Sequence, residues 1–129
     1  MKRTLFISML LCLFAIVANA QNIKGYYSCG SIVNRNLQAN PDKAQTKTDF
    51  GVPGGNTLVI NITSPSGPCT FTFDQGNSNC YVLQTYDHMI AIAVPTTSWP
   101  GSEYCIITVE CDGEYMEIKP YIMDSNYHP

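Results

Sequence analysis

The residues best able to do chemistry in this chain are its cysteines, histidines and carboxylates. Six cysteines occur in 129 residues, and five lie after residue 20: Cys29, Cys69, Cys80, Cys105 and Cys111. A nucleophilic cysteine or serine needs a base within hydrogen-bond reach, and the chain has two histidines, His88 and His128. Asp87 and His88 are adjacent, so their side chains diverge on an extended backbone. We read the pair as turn chemistry and His128 as part of a chain end. One cysteine kept reduced against His88 is the nucleophilic arrangement left open. Glu103, Glu110, Glu114 and Glu117 could suggest a carboxylate pair for acid–base work. Glu114 and Glu117 point to opposite faces of one strand, and Glu110 sits beside a tight turn, so we read them as a solvated strand face. The chain has no C-x-x-C redox motif and no clustered Cys/His spacing for zinc. Gly51-Val52-Pro53-Gly54-Gly55 runs into an alternating segment, not a helix, so it is no phosphate loop. The chain is therefore expected not to be an enzyme and to use no metal or cofactor.

The cysteines take their meaning from the compartment. Lys2 and Arg3 precede an uncharged apolar run over residues 5–17, and Ala18-Asn19-Ala20 follows as an A-x-A cleavage signal. This layout predicts a secretory signal peptide over residues 1–20. The apolar run is too short for a bilayer span, and Leu11 before Cys12 argues against a lipid anchor there. The protein is expected to be secreted or periplasmic, with no membrane insertion after cleavage. Loss of Lys2 and Arg3 leaves five basic against ten acidic residues, a net charge of about −5. That balance disfavours nucleic acid and anionic lipid surfaces, which need Lys/Arg clusters. In an oxidising compartment disulfides are expected. Five cysteines allow at most two internal bridges, and the odd one is either buried or free to link a disulfide dimer. Cys105 and Cys111 on one strand would lie about 20 Å apart, too far to pair with each other.

The elements that must position these groups are strands. Residues 21–49 are polar and turn-rich, with one apolar patch near Tyr26 and Val33. Residues 34–48 in particular read as a long loop or loosely held arm. From residue 57 the pattern has period two. Leu58, Ile60 and Ile62 form one face, then Cys69, Phe71 and Phe73, then Ile90, Ile92 and Val94. Residues 80–86 form a further strand. Asp112-Gly113 between two alternating runs is a strong hairpin signal. A two-residue turn sets Cys111 opposite Glu114, Val109 opposite Met116, Ile107 opposite Ile118 and Cys105 opposite Pro120. The other face pairs Glu110 with Tyr115, Thr108 with Glu117 and Ile106 with Lys119. A one-residue slip would bury Glu117 and Lys119, so burial and turn chemistry agree on the register. The fold expected is all-β, an immunoglobulin-like sandwich of six or seven short antiparallel strands over residues 50–129. A small closed barrel is the alternative. Residues 21–129 would form one domain.

In this register Tyr104, Tyr115 and Tyr121 fall on the outer face of the hairpin, and Trp99 lies in the loop before it. Exposed aromatics bury much area at little entropic cost and stack on sugar faces, so these four residues are the candidate ligand-binding set. The competing expectation is that this face packs on a neighbouring strand and that Trp99 plugs one end of the sandwich. Asn61-Ile62-Thr63 is a glycosylation sequon, meaningful only in a eukaryote.

The Gly54-Gly55 turn leading into Asn56-Thr57-Leu58-Val59-Ile60, with the closing Ile106-Ile107-Thr108-Val109-Glu110-Cys111-Asp112-Gly113 hairpin, resembles the BACON family. These are bacterial immunoglobulin-like domains, and the resemblance covers about residues 50–123. Those domains usually carry tryptophans on two middle strands, roughly where this chain has Cys69 and Cys80. The resemblance therefore implies a Cys69–Cys80 disulfide in place of the tryptophans. It also implies a carbohydrate- or mucin-contacting role, here in a module standing alone. The expected function is a non-catalytic binding or adhesion module with a glycan or protein partner. The alternatives are a secreted inhibitor or effector that uses residues 34–48 as an insertion loop, and a structural subunit assembling through an edge strand.

Overall fold

A computed structural model describes residues 23–37 and 47–129. The signal sequence expected over residues 1–20 lies outside them, as do residues 38–46 of the polar run. Among the described residues nine strands form two sheets. They are β1 (Lys24–Cys29), β2 (Ile32–Asn36), β3 (Lys47–Pro53), β4 (Asn56–Ser64), β5 (Cys69–Asp74), β6 (Tyr81–Thr85), β7 (Met89–Val94), β8 (Ile106–Cys111) and β9 (Glu114–Met123). One sheet has the order β2-β1-β4-β7-β6 and the other β3-β9-β8-β5. All pairings are antiparallel except β3 with β9.

Period-two patterning explains why the sheets stack. Leu58, Ile60 and Ile62 of β4 and Ile90, Ile92 and Val94 of β7 are all buried. They join one core with Ile107 and Val109 of β8, Met116, Ile118 and Ile122 of β9, and Val52 of β3. Phe71 and Phe73 of β5 pack at its margin. Each apolar set is one face of its strand, and burying both faces against each other removes them from water. The chain is thus an all-β sandwich. Tyr27 of β1 stacks on Phe50 of β3, with ring centroids 3.8 Å apart, and this pair joins the two sheets at one margin.

The strand count exceeds the six or seven expected, because the stretch read as a polar arm contributes β1, β2 and the start of β3. These strands were hidden for a physical reason. Only Ile32 of β2 is buried, since β2 is an edge strand held by its ladder to β1. Within β1, Tyr27 and Cys29 are buried, but Gly25 and Ser28 break the apolar pattern. At Gly25 a Cβ would fall on the carbonyl oxygen of Asn61, so only glycine lets β1 approach β4 there. Pro53 ends β3 at a sheet edge, where a missing N–H is tolerated.

The β8–β9 hairpin has the register that the turn and the burial pattern demand. Ile107 pairs with Ile118, Thr108 with Glu117, Val109 with Met116, Glu110 with Tyr115 and Cys111 with Glu114. Asp112 and Gly113 have φ of 51° and 80°. Positive φ at both central residues is the two-residue turn whose twist matches the flanking strands.

Candidate functional site

The outer face of the four-stranded sheet gathers aromatic side chains around one cation. Tyr104 and Tyr121 form an isolated bridge just before β8, and their ring centroids are 5.8 Å apart. Lys119, two residues before Tyr121 on β9, faces the same way. Its ammonium lies 4.1 Å from the Tyr104 ring centroid and 5.3 Å from that of Tyr121. The ring faces attract the charge. The Lys119 pKa is raised, first by a hydrogen bond to Tyr121, so the cation is held there.

A groove of about 370 Å³ borders this cluster, lined by Asp49, Gly51, Gly101, Tyr121, Met123 and Tyr127 among others. β3 supplies Asp49 and Gly51, and Asp49 sits opposite Lys119 in the parallel ladder. Tyr127 folds back over Gly51, with its N–H donating to Asp124 O at 2.9 Å. The loop that brings Gly101 is well anchored. Gly101 N donates to Ile122 O, Ile122 N to Glu103 O, and the Thr97 hydroxyl to Glu103 Oε1 at 2.6 Å. Trp99 projects from this loop with 71% of its surface exposed, so it does not plug an end of the sandwich.

Of the four aromatics expected to bind, the fold thus brings Tyr104 and Tyr121 together and sets Trp99 on the adjoining loop. Tyr115 is exposed but stands six residues from Tyr121 along β9, about 20 Å away. Sequence reasoning set Lys119 on this face by strand parity but missed Asp49 and Tyr127. Only the β3–β9 ladder and the folded-back tail bring them there, and no local pattern signals either.

The carboxylates do not converge. Glu103 is engaged by Thr97, and Glu117 lies 3.7 Å from Lys47 in an exposed pair. His88 is placed by its backbone and ring alike. Its carbonyl accepts from Ile62 N, and Nε2 lies 3.0 Å and 2.8 Å from the carbonyl oxygens of Ser66 and Gly67. Next to two acceptors Nε2 must carry the proton, so the ring fastens the β6–β7 turn to the β4–β5 loop. The hollow beside it is lined by residues 85–89 alone, one turn of chain. Among the described residues no group of three or more His, Cys, Asp or Glu side chains is placed to hold a metal ion. No described helix is long and apolar enough to cross a membrane.

The disulfide differs from the one implied by the family resemblance. Cys69 is bonded to Cys111, not to Cys80. The two face each other across the β5–β8 ladder with Cα atoms 4.5 Å apart, a spacing suited to a bridge. From Cys69, β5 carries the chain about 17 Å away before Cys80 is reached, and Cys80 then precedes β6 in the opposite sheet. Cys29, Cys80 and Cys105 are free and buried. Burial pushes the Cys29 thiol up to about 12, and it donates to Pro53 O. An intermolecular bridge would require one of these three to leave the core.

A second exposed feature is β6, an edge of the five-stranded sheet. All five of its residues are exposed, and Tyr81, Val82, Leu83 and the following Tyr86 present apolar surface. The ladder to β7 is interrupted between Val82 and Gln84. The fold and these surfaces define a disulfide-bonded all-β sandwich with an aromatic outer face. Comparison with protein-family models, with curated proteins and with solved structures found no match to this chain.

Proposed function

We propose that the chain is an exported, non-catalytic binding or adhesion module that contacts a glycan through the outer face of its four-stranded sheet. The observation that carries this is the Tyr104–Lys119–Tyr121 cluster at the rim of the Asp49–Tyr127 groove. Aromatic rings take the apolar face of a sugar ring, while a fixed ammonium and a carboxylate engage hydroxyls or an acidic substituent. The anchored loop and ladders keep the face preorganised, which limits the entropy lost on binding. Export rests on the signal layout of residues 1–20 and agrees with a disulfide in the mature domain. We include the resemblance to BACON-type immunoglobulin-like domains in this proposal. The features behind it, a Gly54-Gly55 turn into β4 and a terminal β8–β9 hairpin, both occur in the fold.

Glycan-array binding by the protein tests the reading. Tyr121→Ala is expected to weaken binding about tenfold or more, the loss of a central aromatic contact, while Tyr115→Ala leaves it unchanged. No glycan bound, together with stoichiometric capture of one protein, would turn the proposal towards an inhibitor or effector.

The exposed β6 edge favours a second reading, a structural subunit that assembles by strand addition. Val82→Lys with Leu83→Lys would then convert a self-associating protein into a monomer in sedimentation experiments. A wild-type monomer at high concentration would remove this reading.

A further inference from the structure

We propose that Cys80 and Cys105 form a second disulfide that ties the two sheets together, leaving Cys29 as the single thiol of the folded domain. Cys80 immediately precedes β6 of the five-stranded sheet, and Cys105 immediately precedes β8 of the four-stranded sheet. Their side chains are 0% and 1% exposed and share the core.

The backbone around the pair is held from both sides. Asn77 clamps the two loops, donating from Nδ2 to Ser102 O at 3.0 Å and accepting from Tyr104 N at 2.8 Å. Gln75 Nε2 donates to Cys80 O, and the Ser78 hydroxyl accepts from Cys80 N. Gly76 lies so close that a Cβ would sit 2.5 Å from Tyr104 O. The two cysteines are thus brought together by contacts that do not depend on a bond between them. The other bridge, Cys69–Cys111, joins neighbouring strands of a single sheet. A Cys80–Cys105 bond, unlike that one, would cross the sandwich.

The chemistry selects this pair over Cys29. The thiol of Cys29 points to Pro53 O at 3.7 Å, and burial keeps it protonated. While the core is still open, either thiol of the pair can supply the attacking thiolate, Cys80 for example. The oxidant is a small or protein disulfide. The Cys80 thiolate attacks one of its sulfurs and expels a thiolate, giving a mixed disulfide. Cys105, deprotonated, then attacks the Cys80 sulfur and expels the second thiolate. One S–S bond forms, the oxidant's S–S bond is lost, and its two sulfurs take up the two protons. Because both thiols are sealed in the finished core, the exchange must precede its closing.

The test refolds the fully reduced protein in a buffer of reduced and oxidised glutathione. Remaining thiols are alkylated in denaturant, and the digest is mapped by mass. We expect one peptide pair linked through Cys80 and Cys105, one through Cys69 and Cys111, and alkylated Cys29. Alkylation of both Cys80 and Cys105 would overturn the proposal, as would a Cys29–Cys80 link. A double variant, Cys80→Ala with Cys105→Ala, keeps the test independent of mapping. Its oxidised form is expected to melt about 10 °C or more below the oxidised wild type, since the closed loop spans some 25 residues. That gap should shrink to a few degrees when both proteins are compared fully reduced. An equal gap in both redox states would show that the two thiols only pack.

Discussion

Removing the Cys69–Cys111 bridge is expected to cost the domain about 4 kcal/mol of unfolding free energy. The bond closes a loop of 42 residues, and the chain-entropy cost of opening that loop in the unfolded state has this size. A domain of this kind is stable by only about 5–15 kcal/mol, so the loss is a large fraction of the whole. The double variant Cys69→Ala with Cys111→Ala is the right form. A single substitution would leave a partner thiol free to exchange with Cys80 or Cys105. Urea unfolding should show a lower midpoint for the variant. β5 is an edge strand, half-buried along its inner face and paired only with β8, so the bond also fastens one border of the sheet. A loss below about 1 kcal/mol would mean that β5 stays docked by Phe71 and Phe73 alone, each worth about 1.5–3 kcal/mol if fully buried.

Ile118→Ala is expected to cost about 3–4 kcal/mol, nearly as much as the bridge, from a single side chain. Ile118 is 0% exposed and pairs with Ile107 on β8, while Thr48 of β3 flanks it on the other side. Its strand is therefore paired along both edges and cannot shift to fill the cavity. The adjacent residue is the control. Glu117→Ala removes only an exposed pair with Lys47, in which Lys47 is 56% and Glu117 31% accessible. Such pairs are worth a few tenths of a kcal/mol. Unfolding free energies of the two variants from denaturant titration should thus differ by about 3 kcal/mol across one peptide bond. Similar midpoints would mean that the alternation of β9 does not separate core from solvent as the register requires.

That alternation was legible in the order of residues wherever one strand face is apolar and the other polar. Residues 106–118 carry a turn that permits one hairpin twist and a burial pattern that forbids a slip, so each pair there is specified locally. The same holds for the inward sets on β4, β5 and β7. β1 and β2 escaped this logic. Their inward side chains are few, Tyr27, Cys29 and Ile32, and the rest of each strand is held by its ladder, which a period-two pattern does not reveal. The aromatic face was half legible, because Tyr104 and Tyr121 share a face by strand parity. Asp49 and Tyr127 are 72 and six residues from Tyr121 in sequence and reach the groove only through the β3–β9 ladder and the folded tail.

Composition and short-range pattern by themselves determined that the domain is all-β, where its central strands lie and how its last hairpin is paired. Those properties depend on interactions between near neighbours and on the two-residue period of a pleated chain. Tertiary structure decided which cysteines meet. Five cysteines permit several pairings, and the choice depends on which strands lie side by side in which sheet, a matter of loop crossings that no local pattern encodes. It also decided that β3 pairs in parallel with β9, because a parallel partner arrives by a long connection and carries no turn signal. The fate of Trp99 was settled in the same way. A tryptophan in a loop can cap a core or face solvent, and here the Thr97–Glu103 and Gly101–Ile122 contacts turn it outward.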